Sequence, residues 1–175
     1  PSGSGKSTLL TVLLGHLPPS TGWLEFNGRD VAELDPSTLR NHVVWCPQES
    51  HLFDSTIRAN LLLARPHTDA PSDEELHDAL RTAGLGGLID RLPDGLETRI
   101  GSQGSHLSGG ERQRLAVART LLSRAEVVLL DEPTAHLDDE TATTLMSDLR
   151  VAFERHIVVL VTHHADDMHR DDQVV

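Results

Sequence analysis

Lysine is almost missing from this sequence of 175 residues, which has one lysine, Lys6, against fourteen arginines. Cysteine is as scarce, and a single Cys46 excludes an internal disulfide bond. No apolar run approaches the roughly 20 residues that a helix needs to cross a bilayer. The net charge of −12 disfavours binding to the phosphates of nucleic acids. These scarcities predict one soluble cytosolic domain with no direct contact to nucleic acid.

The lone lysine stands in the opening stretch PSGSGKST, where its neighbours favour phosphate binding. Gly3 and Gly5 permit positive φ angles, so that the backbone N–H groups of residues 2–7 can turn inward around an anion. The apolar run from Leu9 to Leu14 predicts a helix whose positive N-terminal end faces the same anion. The stretch matches G-x-x-x-x-G-K-[ST] without its first glycine, and we interpret it as a phosphate-binding loop. An ordinary Gly/Ser turn before a helix is the alternative.

Apolar runs predict an open α/β sheet. Buried parallel strands are expected at Val43 to Cys46, Val127 to Leu130 and His156 to Val161. Helical patterns alternate with these runs, and sheets of this kind bind ligands at the carboxyl ends of their strands. The polar side chains that fall at those ends are Gln48, Asp131, Glu132 and His163. A strand from Trp23 to Phe26, followed by Asn27-Gly28, predicts a small hairpin.

A second glycine pair lies at the start of another predicted helix. Ser108 and Glu111 have the S-x-x-E spacing of a capping box ahead of an amphipathic pattern. Gly109 and Gly110 between them allow an anion to approach the backbone closely. The alternative is a helix cap with a purely local role.

Six motifs, taken in chain order, resemble those of the nucleotide-binding domain of ABC transporters. They are PSGSGKST, Gln48, LSGGE at 107–111, VVLLDE at 127–132, HLD at 136–138 and His163. The resemblance covers essentially the whole chain. It implies an α/β fold, a P-loop NTPase (RecA-like) core with a mostly parallel sheet, a helical subdomain and a small antiparallel β element. The core lobe is expected at about 1–50 and 123–175, and the helical lobe at about 51–122.

The resemblance also implies ATP and Mg²⁺ as cofactors, and a role for each matching residue. The nucleotide would be bound by Ser2, Gly3, Ser4, Gly5, Lys6, Ser7, Thr8, Gln48, Ser108, Gly109, Gly110, Glu111 and Asp138. Mg²⁺ would be bound by Ser7, Gln48 and Asp131. The catalytic residues would be Glu132, which orients or deprotonates the attacking water, and His163, which contacts the γ-phosphate.

Partners follow from the same resemblance. In this family the LSGGE helix of one subunit meets ATP held by a second ABC ATPase domain, and Asp138 would lie at that seam. The segments at 55–66 and 98–111 are similar to the exporter type, in which the helical lobe contacts a transmembrane domain. DEPTAHLD together with SHLFDSTIRANLLLARP is similar to the CydC/CydD group of bacterial heterodimeric exporters, which move thiol compounds and support cytochrome bd assembly.

The resemblance therefore implies an ATPase that drives transport at the cytoplasmic face of the bacterial inner membrane. A heterodimer is favoured over a homodimer, and the membrane would be contacted only through the transmembrane domain. We expect the chain to be a fragment cut at both ends, without the first glycine of the loop, the preceding strand and the aromatic residue that stacks on adenine.

The sequence departs from the family pattern at several positions, and two other functions are alternatives. Glu111 stands where Gln is usual, and Ser102 and Gln103 stand where exporters often have Glu and Arg. One alternative is a soluble ABC-type ATPase that acts on nucleic acid or ribosomes. The acidic charge disfavours it, and so does the separation of only 60 positions between Gln48 and Ser108, which leaves no room for the coiled coil of a repair clamp. The other is a regulatory half-site that binds ATP without hydrolysis, which Glu132 and His163 disfavour.

Overall fold

The computed structural model describes residues 5–135, 137–170 and 172–174. The α-helices are α1 (Lys6–Leu13), α2 (Pro36–His42), α3 (Ile57–Leu62), α4 (Asp73–Thr82), α5 (Gly86–Ile89), α6 (Gly109–Leu122) and α7 (Asp139–Ala152). The strands are β1 (Glu25–Phe26), β2 (Arg29–Asp30), β3 (Val43–Cys46), β4 (Val127–Asp131) and β5 (Ile157–Val161). No helix within these ranges is long and apolar enough to span a membrane.

The larger sheet is parallel and has the order β3-β4-β5. Its carboxyl ends therefore meet at one edge, which confirms the predicted α/β arrangement. Strands β1 and β2 form a separate antiparallel hairpin. The turn between them has positive φ angles at Asn27 (51°) and Gly28 (74°), the conformation for which an Asn-Gly pair is favoured.

Helices cover both faces of strand β4, which explains its continuous apolar sequence. Leu129 faces a cluster that includes Leu10 of α1 and Leu39 of α2. Val128 and Leu130 face the larger core, which is formed mainly by α3, α4, α6 and α7. Successive strand residues point to opposite faces, so burial on both faces requires an apolar residue at every position.

Strand β5 departs from the prediction of full burial. The side chains of Ile157 and Val158 are 66% and 40% exposed. The order β3-β4-β5 places β5 at an edge of the described sheet, where β4 is its hydrogen-bonded neighbour. An apolar run alone does not distinguish an edge strand from a central one, so the prediction was wrong for the first half of this strand.

The large core is continuous from the sheet into the helices at 57–122. Cys46 of β3 and Leu130 of β4 belong to the same cluster as Leu61 of α3 and Leu115 of α6. A division into two lobes therefore rests on topology and stays a prediction.

An ionic network ties the loop after α3 to α4 and to the linker after α6. The guanidinium groups of Arg65 and Arg124 donate to the same Glu75 carboxylate oxygen at 2.8 and 2.7 Å. The Ser72 backbone N–H also donates to Glu75, within the capping box of α4. That backbone bond, followed by the bonds from Arg124 and Arg65, lowers the pKa of Glu75 to about 2.

We expect Glu75→Gln to remove a pH-dependent part of the stability. A carboxyl whose pKa falls on folding from 4.5 to about 2 stabilises the folded state above pH 4.5, and this contribution is lost as the pH falls towards 2. Urea unfolding of the purified domain should therefore show a difference between wild type and variant that is largest above pH 4.5 and shrinks below it. Glu74→Gln, an exposed neighbour in the same helical turn, is the control. A difference between wild type and Glu75→Gln that is independent of pH would contradict this assignment.

Candidate active site

Helix α1 presents an open N-terminus at the carboxyl edge of the sheet. Gly5 precedes the helix with a φ of 88°, a left-handed conformation that favours glycine, and its carbonyl accepts from Leu9 N at 2.8 Å. Lys6 begins the helix, and Ser7 and Thr8 are exposed beside it. The predicted phosphate-binding residues Ser2, Gly3 and Ser4 lie outside the described residues. In the described part of the loop, the positive φ of Gly5 and the exposed start of α1 are compatible with an anion site at this helix N-terminus.

Three residues far apart in sequence come together at this edge. Lys6 Nζ lies 2.8 Å from Nε2 and 2.9 Å from Nδ1 of His163. The same ammonium lies 3.6 Å from Glu132 Oε1, and His163 Nε2 lies 2.6 Å from that oxygen. We call these three side chains the Lys6–Glu132–His163 cluster. A cation, a carboxylate and an imidazole in mutual contact are able to bind a phosphate and transfer a proton.

An uncommon backbone conformation places Glu132. Its φ is 46°, in the left-handed region that a residue other than glycine rarely adopts. Its N–H donates to Val161 O of β5 at 2.7 Å, and its carbonyl accepts from Ala135 N at 3.0 Å. Such a conformation costs about 1–3 kcal/mol and persists where surrounding bonds hold it. The turn thus directs the carboxylate from the end of β4 towards His163, beyond the end of β5.

Asp131, the last residue of β4, adds a second carboxylate. Burial raises the pKa of Asp131, the adjacent negative charge of Glu132 raises it further, and the Lys6 ammonium opposes both. Two neighbouring carboxylates beside one ammonium leave an excess of negative charge. A divalent cation that accompanies a phosphate ligand would offset that excess.

The predicted capping box at the start of α6 is confirmed. Ser108 Oγ accepts from Glu111 N at 3.2 Å, and Glu111 Oε2 accepts from Ser108 N at 2.8 Å. Gly109 is exposed at the first turn, and a Cβ atom on Gly110 would lie 3.2 Å from Thr141 Cγ2 of α7. The glycines therefore keep this helix end open and allow it to pack beside α7.

Comparison with known proteins decides the family of this domain. The family model of the ABC transporter matches residues 1–135, which include the phosphate loop, the capping box of α6 and the end of β4. The chain belongs to the ABC transporter family. Members of this family hydrolyse ATP to drive transport, and the resemblance found in the sequence is confirmed.

Curated relatives of this ABC domain include two transporter subunits. It is 40% identical over 174 residues to the glutathione/L-cysteine transport system ATP-binding/permease protein CydC of Bacillus subtilis, and the match covers 99% of the chain and 30% of that protein. It is 42% identical over 167 residues to the corresponding protein CydD of Escherichia coli, covering 95% of the chain and 28% of that protein. The chain thus spans less than a third of the length of these relatives.

A solved structure supports the fold. A bacterial Atm1-family ABC exporter with ATP bound superposes with a TM-score of 0.82 at 36% identity, covering 94% of the chain and 28% of that protein. The ABC domain therefore has the P-loop ATPase fold that the sequence predicted.

The residues of the ABC domain fit a magnesium ion that is shared with a nucleotide. In the part of the chain that the structure describes, no group of three carboxylate, histidine or cysteine side chains forms a metal cage. Mg²⁺ ordinarily uses one or two protein ligands together with phosphate oxygens and waters. Ser7 at the start of α1, Gln48 beyond β3 and Asp131 at the end of β4 offer such oxygen ligands at the same edge of the sheet.

Asp138 begins α7 as its N-cap. Its carboxylate accepts from Thr141 N at 3.0 Å and from Thr141 Oγ1 at 2.7 Å. These two bonds hold the pKa of Asp138 below its ordinary value. The structure thus gives Asp138 a local structural role, and its predicted place at a dimer seam stays a prediction. His136, in the same motif, lies outside the described residues.

The site residues separate into two groups. Lys6, Glu132 and His163 contact one another, whereas Ser108 and Glu111 form a helix cap. One further residue, Asp167, carries no sequence signal; it is buried and bonds to the segments after β4 and β5. It lies in a polar stretch beside Asp166, and no periodicity there marks one aspartate as buried.

The helix cap accommodates Glu111 at the position of the LSGGE motif where Gln is usual. We expect Glu111→Gln to leave stability nearly unchanged, because a Gln side chain also reaches the N-cap N–H. Glu111→Ala should lower the free energy of unfolding by about 0.3–1.5 kcal/mol, measured by urea unfolding. Wild-type stability in Glu111→Ala would show that the Glu111 side chain contributes nothing to the cap.

Proposed function

We propose that this domain binds MgATP and hydrolyses it to drive an ABC exporter. The observation that carries the proposal is the Lys6–Glu132–His163 cluster beside the N-terminus of α1. Hydrolysis needs a cation for the phosphates, a base for the attacking water and a donor for the γ-phosphate, and these three side chains supply them.

The chemistry follows from these contacts. The triphosphate would occupy the α1 N-terminus and draw the Lys6 ammonium away from Glu132. The freed carboxylate would accept a proton from water, whose oxygen attacks the γ-phosphorus while the bond to the β-phosphate bridging oxygen breaks. His163 would donate a hydrogen bond to the γ-phosphate. Ser7, Gln48 and Asp131 would hold Mg²⁺, which supplies charge neutralisation of the phosphates when bound.

We further propose that a second ABC domain completes the site. Ser108 and Gly109 stand at the exposed start of a 14-residue helix, outside the Lys6–Glu132–His163 cluster. A hydroxyl that accepts one hydrogen bond can still donate its own hydrogen, so Ser108 can serve both the cap and an anion. ATP would then meet α1 of one domain and α6 of the other. The similarity to CydC and CydD favours a heterodimer.

The surface next to Gln48 suits a membrane domain. A cavity of about 150 Å³ lies between the end of β3 and helices α3 and α6, and Trp45 and Leu63 at its rim are 44% and 56% exposed. We propose that cytoplasmic loops of a transmembrane domain bind here, at the inner membrane of a bacterium. The junction lies where the proposed core lobe (1–50 and 123–175) meets the proposed helical lobe (51–122), so hydrolysis can move one lobe against the other.

The transported substrate is proposed to be a thiol compound. Two relatives are named for glutathione and L-cysteine transport, and both are fused ATP-binding/permease proteins. That fusion favours a membrane transporter over a soluble ATPase for nucleic acid or ribosomes.

One reconstitution experiment tests first the ATPase function and then the thiol substrate. The full-length subunit and its partner are placed in lipid vesicles, and phosphate release from MgATP is measured with and without glutathione or cysteine. We expect basal hydrolysis, and faster hydrolysis with thiols than with matched thiol-free peptides or amino acids. Absence of hydrolysis would contradict the ATPase function, whereas hydrolysis that thiols do not change would contradict only the substrate.

A further inference from the structure

A buried carboxylate links the two segments that carry Glu132 and His163. Asp167, in the short turn after β5, is 5% exposed. Its Oδ2 accepts from the hydroxyl of Thr134 at 3.0 Å and also from the hydroxyl of Thr162. Thr134 follows Glu132 by two positions, and Thr162 immediately precedes His163. One oxygen atom therefore bridges both segments.

Helix α7 anchors the backbone of Asp167. Arg150 Nη2 donates to the Asp167 carbonyl at 2.7 Å and to Asp172 Oδ2 at 2.8 Å. Asp167 N donates to His164 O at 3.2 Å, and His164 N donates to Thr162 Oγ1 at 3.0 Å. These bonds fix the backbone of the turn to α7, so the Asp167 carboxylate is held in place beside the two threonine hydroxyls.

We propose that Asp167 is a positioning residue for ATP hydrolysis, an inference that rests on the proposed function. Its carboxylate holds the Glu132 and His163 segments at one separation, so that the base and the γ-phosphate donor face the same water and phosphate. A buried hydroxyl donor without an acceptor destabilises the folded state, so loss of the Asp167 carboxylate favours movement of the segments that carry Thr134 and Thr162. A displacement of about 1 Å at reacting groups can lower a rate on the order of 10²-fold.

Nucleotide binding should depend on Asp167 much less than turnover does. Lys6 and the N-terminus of α1 are proposed to hold the phosphates, and among the described residues neither bonds directly to Thr134, Asp167 or Thr162. Removal of the carboxylate should therefore lower kcat and leave the KM for MgATP nearly unchanged. Because loss of folded enzyme would also lower the apparent kcat at constant KM, kcat is expressed per nucleotide-binding site, counted by equilibrium titration of the same sample.

The test uses the full-length transporter with its partner. We expect Asp167→Ala to lower kcat for MgATP at least about tenfold and to change KM by less than about threefold. Asp166→Ala, an exposed aspartate of the same turn, is the matched control and should retain the wild-type kcat. Thr134→Val, which removes one hydroxyl, should lower kcat, and Thr134→Ser, which restores a hydroxyl, should recover most of it.

The possible results distinguish failure of the Asp167 positioning role from failure of the proposed ATPase function. A wild-type transporter that does not hydrolyse MgATP would overturn both. Hydrolysis by the wild type together with an unchanged kcat in Asp167→Ala would overturn the positioning role alone, as would an equal loss in Asp166→Ala. If Asp167→Ala does not fold, Thr134→Val and Thr134→Ser provide the test. Equal kcat values for these two variants would contradict the positioning role of the bridge.

Discussion

Replacement of Glu132 by Gln is expected to lower the MgATP turnover of the transporter by on the order of 10²–10⁴ and to leave nucleotide affinity nearly unchanged. The Glu132 carboxylate lies 2.6 Å from His163 Nε2, where it can accept a proton from an attacking water. Gln keeps the size of the side chain and loses its basicity. Steady-state phosphate release gives the turnover, and equilibrium titration with a fluorescent nucleotide gives the affinity.

A surface glutamate provides the control for this variant. Glu154→Gln removes one carboxylate from a side chain that is 67% exposed, and it should retain wild-type turnover and affinity. Wild-type turnover in Glu132→Gln would exclude Glu132 as the base. Loss of nucleotide affinity in parallel with turnover would assign the carboxylate to binding instead of catalysis.

We expect Lys6→Ala to weaken the affinity for MgATP by about 10- to 100-fold, the effect of losing a charged hydrogen bond of about 1.5–3 kcal/mol. The ammonium is the cation of the Lys6–Glu132–His163 cluster, and it lies next to the α1 N-terminus. Its removal leaves the carboxylates of Asp131 and Glu132 without this cation and so repels the phosphates. Calorimetric titration with ATP and magnesium measures the affinity.

Two further variants define the chemistry at this position. Lys6→Arg keeps the charge but replaces a compact ammonium with a planar fork, so its affinity should stay well below that of the wild type. Arg155→Ala removes a cation whose side chain is 90% exposed and should change nothing. Equal affinities for Lys6→Ala and the wild type would contradict phosphate binding by the opening loop.

Much of the fold could be predicted because the sequence patterns that specify it involve residues close together in the chain. The apolar runs of β3 and β4, the Asn27-Gly28 turn and the Ser108–Glu111 capping box each involve residues close together in the chain, and the structure confirms them. Gln48, Asp131 and His163 could be placed at one edge because parallel strands share their carboxyl ends.

Other structural features depend on residues that become neighbours only when the chain folds, so the sequence alone could not predict them. The exposure of Ile157 follows from the edge position of β5, which is a property of strand order. The left-handed backbone of Glu132 is imposed by the turn that bonds to Val161, and Glu has no intrinsic preference for it. Asp167 resembles Asp166 until the chain folds, because only packing against Thr134 and Thr162 makes one of them buried.

By itself, the sequence determined the family, the helix cap and the residue types available for catalysis, since motifs of a few residues encode each of them. Only the tertiary structure decided which of these residues meet. Lys6 and His163 are 157 positions apart, yet their side chains lie within 3 Å, because α1 packs through Leu10 against Leu129 and Val161 of the sheet. Contacts at such separations depend on packing and register throughout the domain, which local pattern does not specify.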